Sequence, residues 1–166
     1  MSTETTTNGK FNLTSIIGLF PFQSTTNCIS KQQMEPLVPE QVLRKCQERE
    51  AANHNPGTEQ FEVCYQQCAF EELGAIEGFE VRVEKLYPLA EGFAADYRHA
   101  VHLAIDECSR RLRNIRDTFE QMKTQCSLLG FTVDRCVRLI IYENCPTGRW
   151  KASIACTKIR QGVPFC

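Results

Sequence analysis

The chain has 166 residues, 42% of them hydrophobic, and its 19 basic and 20 acidic residues leave a formal net charge of -1. This length fits one domain that can bury a core of its own. The balanced charge gives no sign of binding to nucleic acid or to an anionic membrane. No apolar run approaches the roughly 20 residues that a membrane span requires, so we expect none.

The first 38 residues predict a strap that lies over the core and is partly disordered. Thr, Ser and Asn dominate up to about residue 29, and Pro21 interrupts the apolar patch at residues 16–22. Terminal segments are poorly ordered unless contacts hold them in place. Residues 12–14 form a glycosylation acceptor sequence, a tripeptide that is also common by chance.

Helical periodicity begins at Pro39, where the predicted core domain of residues 39–146 starts. Pro39 suits a first helical position, Thr58 is a candidate N-cap, and Gly74 is a C-terminal stop. The apolar stripes predict helices over residues 39–52, 59–73, 80–87, 91–107, 109–128 and 133–143.

Gly130 and Thr132 set the predicted boundaries between the last two helices of the core domain. Gly130 is expected to close the helix over 109–128, and Thr132 to cap the helix that follows. A final amphipathic piece at about 150–160 belongs to a predicted extension, residues 147–166, packed on the core. No stretch alternates with period two, so the predicted fold is all-α with six to eight helices.

Ten cysteines are the strongest signal in the chain. They are Cys28, Cys46, Cys64, Cys68, Cys108, Cys126, Cys136, Cys145, Cys156 and Cys166. Their even number predicts complete pairing in five disulfides, in an oxidising compartment. We therefore expect a secreted, extracellular protein whose signal peptide is absent from this chain, because the first residues lack the basic and then apolar order of such a signal.

Cys64 and Cys68 lie four positions apart on one predicted helix, so both point from the same face and we expect them to join different partners. Spacing alone leaves the pairing open among about 945 complete connectivities.

Zinc sites favour C-x2-C steps or mixed Cys/His clusters. The chain has no C-x2-C step, and His54, His99 and His102 are not near cysteine pairs in sequence. Disulfides are therefore favoured over a metal site.

The cysteine ladder also carries a family resemblance. From Cys64 onwards it reads C-x3-C-x39-C-x17-C-x9-C-x8-C-P-x9-C-x9-C, and residues 64–74 read CYQQCAFEELG. This pattern resembles the insect odorant-binding proteins. Cys126, Cys156 and the Pro146 that follows Cys145 are similar to their Plus-C subgroup. Over residues 39–166, the resemblance implies helices around an apolar cavity, cross-linked by disulfides.

The resemblance also implies a pairing for six cysteines, in which the first joins the third, the second the fifth and the fourth the sixth. Applied to this chain, it gives Cys46–Cys68, Cys64–Cys136 and Cys108–Cys145. The short gap from Cys46 to Cys64 leaves Cys28 as a competing first cysteine. Four cysteines stay unassigned, with three connectivities among them: Cys28, Cys126, Cys156 and Cys166. We favour a bond from Cys126 to the C-terminal tail, with Cys28 joined to the other tail cysteine.

The function that the resemblance implies is to bind small hydrophobic molecules, such as odorants, and to carry them through extracellular fluid toward olfactory receptors. The candidate pocket residues are Leu86, Tyr87, Phe93, Tyr97, Val101, Ile105, Phe119, Met122, Phe131, Val137 and Ile140. Each of them can also belong simply to the packed core, which is the commoner role of a helical apolar stripe. Met122 and the aromatic residues are favoured because Met adapts to varied ligands.

Two polar features have a functional and a simpler interpretation. His99 and His102, three positions apart, could trigger ligand release by changing charge with pH. Two solvated histidines are the commoner arrangement. The basic run over residues 110–116 predicts a solvated face beside acidic neighbours such as Asp106, Glu107 and Asp117, with a receptor-docking surface as the alternative.

The chain lacks the motifs of the competing protein classes. It has no G-x-S-x-G, H-E-x-x-H or phosphate-binding loop, and no His is followed by Asp, so we expect neither an enzyme nor a cofactor. Adjacent cysteines, which helical phospholipases and albumin-type storage proteins carry, are also absent. The alternative that stays open is a secreted, non-enzymatic protein that binds a non-odorant lipid or a protein partner. Homodimerisation is also open.

Overall fold

The computed structural model describes residues 36–144 together with residues 146, 148, 156 and 157. Most of this part of the chain is helical, as predicted. In chain order, its elements are α1 (Glu40–Ala51), α2 (Glu59–Glu72), β1 (Ile76–Glu77), β2 (Glu80–Val81), α3 (Val83–Leu86), a 3-10 helix (Tyr87–Gly92), α4 (Arg98–Asn114), α5 (Arg116–Gln121) and α6 (Leu129–Glu143). The predicted strap, apart from residues 36–38, and most of the predicted C-terminal extension lie outside the described residues.

Helix α2 begins and ends at the residues that the sequence marks. The Thr58 hydroxyl accepts a hydrogen bond from the Phe61 backbone N–H at 3.2 Å, which confirms Thr58 as the N-cap. Gly74 has a φ of +63°, and the next amide, that of Ala75, donates to the Phe70 carbonyl at 2.9 Å. This left-handed glycine satisfies carbonyls that the helix end would leave without partners. Both signals are local, which is why sequence reasoning finds them.

A short antiparallel hairpin occupies the start of the helix predicted over residues 80–87. Ile76 pairs with Val81 and Glu77 pairs with Glu80, and Gly78 in the turn has a φ of +61°. Each strand is only two residues long, too short for alternation to be visible in the sequence. The hairpin forms one wall of the pocket described below.

The boundaries predicted around α4 and α6 were wrong. Helix α4 runs unbroken from Arg98 to Asn114 through the predicted break at residue 108. Helix α6 begins at Leu129, so Thr132 lies inside it, and the Thr132 hydroxyl donates to the Leu128 carbonyl at 2.8 Å. Gly130 is in the first turn of α6 and does not close a helix. Its role depends on a contact with another helix, which periodicity cannot reveal.

The core forms where α6 packs against both α4 and α2, and α1 packs against α2. Phe70 of α2, Ile105 of α4 and Val137 of α6 are each at most 1% exposed. A Cβ atom at Gly130 would lie 2.8 Å from the Gln66 carbonyl oxygen of α2. Glycine therefore permits a close approach of the α2 and α6 backbones.

Among the described residues, no helix is long and apolar enough to cross a membrane.

Candidate functional site

Three disulfides have both of their cysteines in the described residues, and they cross-link the helical core. Cys46–Cys68 connects α1 to α2, with Cα atoms 5.8 Å apart. Cys64–Cys126 connects α2 to the segment that precedes α6, with Cα atoms 5.1 Å apart. Cys108–Cys136 connects α4 to α6, again with Cα atoms 5.8 Å apart. As expected, the two cysteines on one face of α2 join different partners.

Two of the three implied pairings were wrong, as was the favoured bond from Cys126 to the C-terminal tail. Cys64 joins Cys126 instead of Cys136, and Cys108 joins Cys136 instead of Cys145, which lies outside the described residues. The reason is helix packing, because Cys136 is on α6, which packs along α4 beside Cys108.

The implied order of pairing is nevertheless present among the six cysteines joined by these bonds. In chain order, the first joins the third, the second the fifth and the fourth the sixth. The fifth and sixth positions are held by Cys126 and Cys136, not by Cys136 and Cys145 as predicted. Cys156 is also disulfide-bonded. Cys28, for which a bond to a tail cysteine was predicted, and Cys166 lie outside the described residues.

The fold brings a histidine to the Cys64–Cys126 disulfide. A nitrogen of His54 and the two sulfur atoms lie within 4.8 Å of one another, and Gln60 Nε2 donates to Cys64 Sγ at 3.1 Å. In sequence, His54 is ten positions from the nearer cysteine, so spacing rules gave no indication of this cluster. While the sulfurs are bonded to each other, neither is the thiolate that binds zinc. The cluster is therefore a disulfide with a neighbouring imidazole.

A pocket of about 290 Å³ opens between the hairpin, the C-terminal half of α4 and the starts of α5 and α6. Four apolar side chains line it: Phe79, Val81, Leu112 and Leu129. The polar lining consists of Glu80, Ser109, Arg113 and Arg116. Its volume is just below the roughly 300–1,000 Å³ of small-molecule sites, and its lining is more polar than theirs, because polar and apolar residues contribute four side chains each.

An ion-pair network spans one side of this pocket. Arg116 Nη1 donates to Glu80 Oε1 at 2.6 Å, and Arg116 Nε donates to Glu120 Oε1 at 2.8 Å. The hydrogen bond to Glu120, with a further contribution from Glu80, raises the pKa of Arg116 above its ordinary value. The network links β2 to α5, and it engages two nitrogen atoms of the Arg116 guanidinium.

Two other polar groups of the pocket have no such partner. Arg113 forms no ion pair or hydrogen bond, and the Ser109 hydroxyl forms no hydrogen bond, within the part of the chain that the structure describes. The two residues are four positions apart on α4, so their side chains are neighbours on one helix face. They are the polar groups of the pocket that are available to a ligand.

The eleven residues predicted to line a ligand cavity lie in or against the helical core. Eight are buried: Leu86, Phe93, Tyr97, Val101, Ile105, Phe119, Val137 and Ile140. Tyr87, Met122 and Phe131 are partly buried and pack against the same core. None of the eleven lines the pocket between the hairpin and α4. Their role in ligand binding stays a prediction, and their burial fits the packing interpretation given beside it.

The two predicted trigger histidines lie in different surroundings on α4. His99 is exposed, whereas the His102 ring lies 5.4 Å from the ring of Tyr87. The Tyr87 hydroxyl donates to a carboxylate oxygen of Asp106. This hydrogen bond raises the pKa of Tyr87 above its ordinary value, since ionisation of the phenol would remove the donated proton.

Most of the basic run over residues 110–116 is neutralised by acidic neighbours, as predicted for a solvated face. Arg110 and Arg111 both donate to Glu107, which lies at 2.6 and 2.7 Å from them. These hydrogen bonds, that of Arg110 first, lower the pKa of Glu107. Arg113 is the exception, and this marks it as a candidate binding residue. The sequence shows a basic run but carries no signal that distinguishes Arg113 from the other arginines in it.

No protein-family model matches the chain, and no curated protein sequence matches it significantly.

Proposed function

We propose that this protein is a secreted, non-enzymatic carrier of small hydrophobic molecules, of the type found in insect odorant-binding proteins. The observation that carries the proposal is the interleaved order of the three disulfides, first to third, second to fifth and fourth to sixth. That order is the one that the resemblance implies, and it holds although the cysteines filling the last two positions differ from those first assigned.

The physical argument for a carrier is that these bridges hold helices at fixed separations. The three bonds join α1 to α2, α2 to the chain before α6, and α4 to α6. Each bond stabilises the fold by about 2–4 kcal/mol, chiefly by restricting the unfolded chain. A framework stabilised in this way can retain a recess that side-chain packing alone would tend to fill.

We place the ligand in the pocket between the hairpin and α4. Its apolar walls supply surface that a hydrophobic molecule can bury, worth roughly 25 cal/mol per Å² before the cost of immobilising the ligand. In this proposal, the protein carries the bound molecule through extracellular fluid toward olfactory receptors. The disulfides support that location, because such bonds persist in oxidising compartments.

Displacement of an apolar fluorescent dye from the natively oxidised protein tests the proposal. We expect the dye to bind and a panel of small volatile compounds to displace it. Val81→Trp, which fills the pocket, should weaken dye binding. Val83→Trp is the matched control, because Val83 is also partly buried but does not line the pocket. If folded, oxidised protein bound neither the dye nor any apolar compound, the carrier function would be refuted.

A further inference from the structure

The polar lining of the pocket has an excess of positive charge. It holds two guanidinium groups and one carboxylate, those of Arg113, Arg116 and Glu80. The carboxylate is already bound to Arg116 at 2.6 Å. Arg113 therefore contributes a cation that no acidic side chain in the described residues neutralises.

The Ser109 hydroxyl provides a hydrogen-bond donor on the same helix face. Ser109 is only 6% exposed, yet its hydroxyl forms no hydrogen bond within the described residues. Among the described residues, the fully buried side-chain atoms without a hydrogen-bond partner belong to Gln66 and Arg82, so the Ser109 oxygen keeps contact with solvent in the pocket. A hydroxyl can donate one hydrogen bond, and a guanidinium offers donors in a planar fork that matches a carboxylate.

The rest of the pocket wall is apolar. Leu112 and Leu129 are buried, and Phe79 and Val81 are partly exposed at the hairpin. A molecule that fills the recess thus meets a cation and a hydroxyl on α4 together with apolar walls on three elements.

We propose that the pocket takes a small amphipathic acid, whose carboxylate binds Arg113 and Ser109 and whose alkyl chain lies against the apolar walls. This inference rests on the proposed carrier function and specifies the chemical class of its ligand. A neutral alcohol of the same length would leave Arg113 without its counter-charge, and an alkylamine would be repelled by it. Charge recognition thus distinguishes an acid from the neutral volatiles of the wider panel.

Isothermal titration calorimetry with decanoate, decanol and decylamine tests the inference on the full, oxidised chain. We expect decanoate to bind most tightly and decylamine most weakly. Arg113→Gln should weaken decanoate binding by about five- to tenfold, the range for a lost charged hydrogen bond that solvent partly screens, and should leave decanol binding unchanged. Added salt should weaken the binding of decanoate but not of decanol.

Arg44→Gln is the matched control. Arg44 is an exposed arginine of α1 that has no ion pair within the described residues and does not line the pocket. Arg44→Gln should leave the affinities for decanoate, decanol and decylamine unchanged. Equal binding of decanoate and decanol, or the same loss in both variants, would overturn the acid-binding inference while leaving the carrier function intact. Failure of every apolar compound to bind, the fluorescent dye included, would overturn both.

Discussion

Cys64 and Cys126 are joined across 62 positions of the chain, with their Cα atoms 5.1 Å apart. This bond fastens the segment before α6 to α2. It also leaves Cys136 to pair with Cys108 of α4, and so accounts for both errors in the pairing first assigned.

Disulfide mapping should find this pairing in the oxidised protein. Proteolysis without reduction, followed by mass spectrometry, should yield linked peptides for Cys46–Cys68, Cys64–Cys126 and Cys108–Cys136. Acidic conditions are needed, because thiolates would otherwise exchange the bonds during digestion. A linked peptide containing Cys64 and Cys136 would contradict the arrangement.

The Cys64–Cys126 bond should be reduced before the Cys46–Cys68 bond under native conditions. An attacking thiolate must reach a sulfur atom, and Cys126 is partly exposed, whereas Cys46 and Cys68 are 0% and 2% exposed. A time course with dithiothreitol and alkylation, read by mass spectrometry, measures the order.

The Cys46–Cys68 bond, whose two cysteines are both buried, is the internal control for that time course. Its loss at the same rate as Cys64–Cys126 would indicate that both bonds open through global unfolding. In that case, local access would not determine the order.

Gly130→Ala should destabilise the protein by about 1–3 kcal/mol, because a Cβ there would overpack the contact between α6 and α2. The added carbon would lie 2.8 Å from both the Gln66 carbonyl oxygen and the Gln67 Cα atom, which are backbone atoms that cannot rotate away. Urea unfolding monitored by circular dichroism measures the change.

Gly92→Ala is the control for Gly130→Ala. Gly92 ends the 3-10 helix, has no positive φ, and has no atom within 4 Å of the position of an added Cβ. Its substitution should change the free energy of unfolding by about 0.5 kcal/mol or less. Equal effects of the two substitutions would show that the close approach at Gly130 is not what alanine disturbs.

Tyr87 should ionise above the ordinary tyrosine pKa of about 10, because it donates a hydrogen bond to Asp106. A raised pKa in the folded state means that this bond stabilises the fold fully below pH about 10 and is lost as the pH rises through the folded value. Asp106→Asn should therefore shift the Tyr87 titration toward lower pH. Ultraviolet difference titration of each protein against its Tyr87→Phe counterpart measures the shift.

Glu107→Gln is the control for the Tyr87 titration. Glu107 is adjacent to Asp106 in the chain, but its carboxylate binds Arg110 and Arg111. This variant removes one negative charge from the same helix without touching the tyrosine hydroxyl. A shift as large as that of Asp106→Asn would assign the raised pKa to general electrostatics instead of the hydrogen bond.

Local signals in the sequence were sufficient for the helical character of the chain and for both ends of α2. Thr58 and Gly74 act through hydrogen bonds between residues only a few positions apart, so their effect on the helix ends does not depend on tertiary packing. The separation of Cys64 from Cys68 follows in the same way from the geometry of one helix.

Only the tertiary structure decided which cysteine each of these two meets, because packing of α6 on α4 and α2 sets those distances. The same packing explains Gly130, since its close neighbour belongs to another helix. Tertiary contacts also form the pocket, where Arg116 pairs with Glu80 of β2. These are contacts between residues far apart in the chain, and periodicity describes only residues that are near.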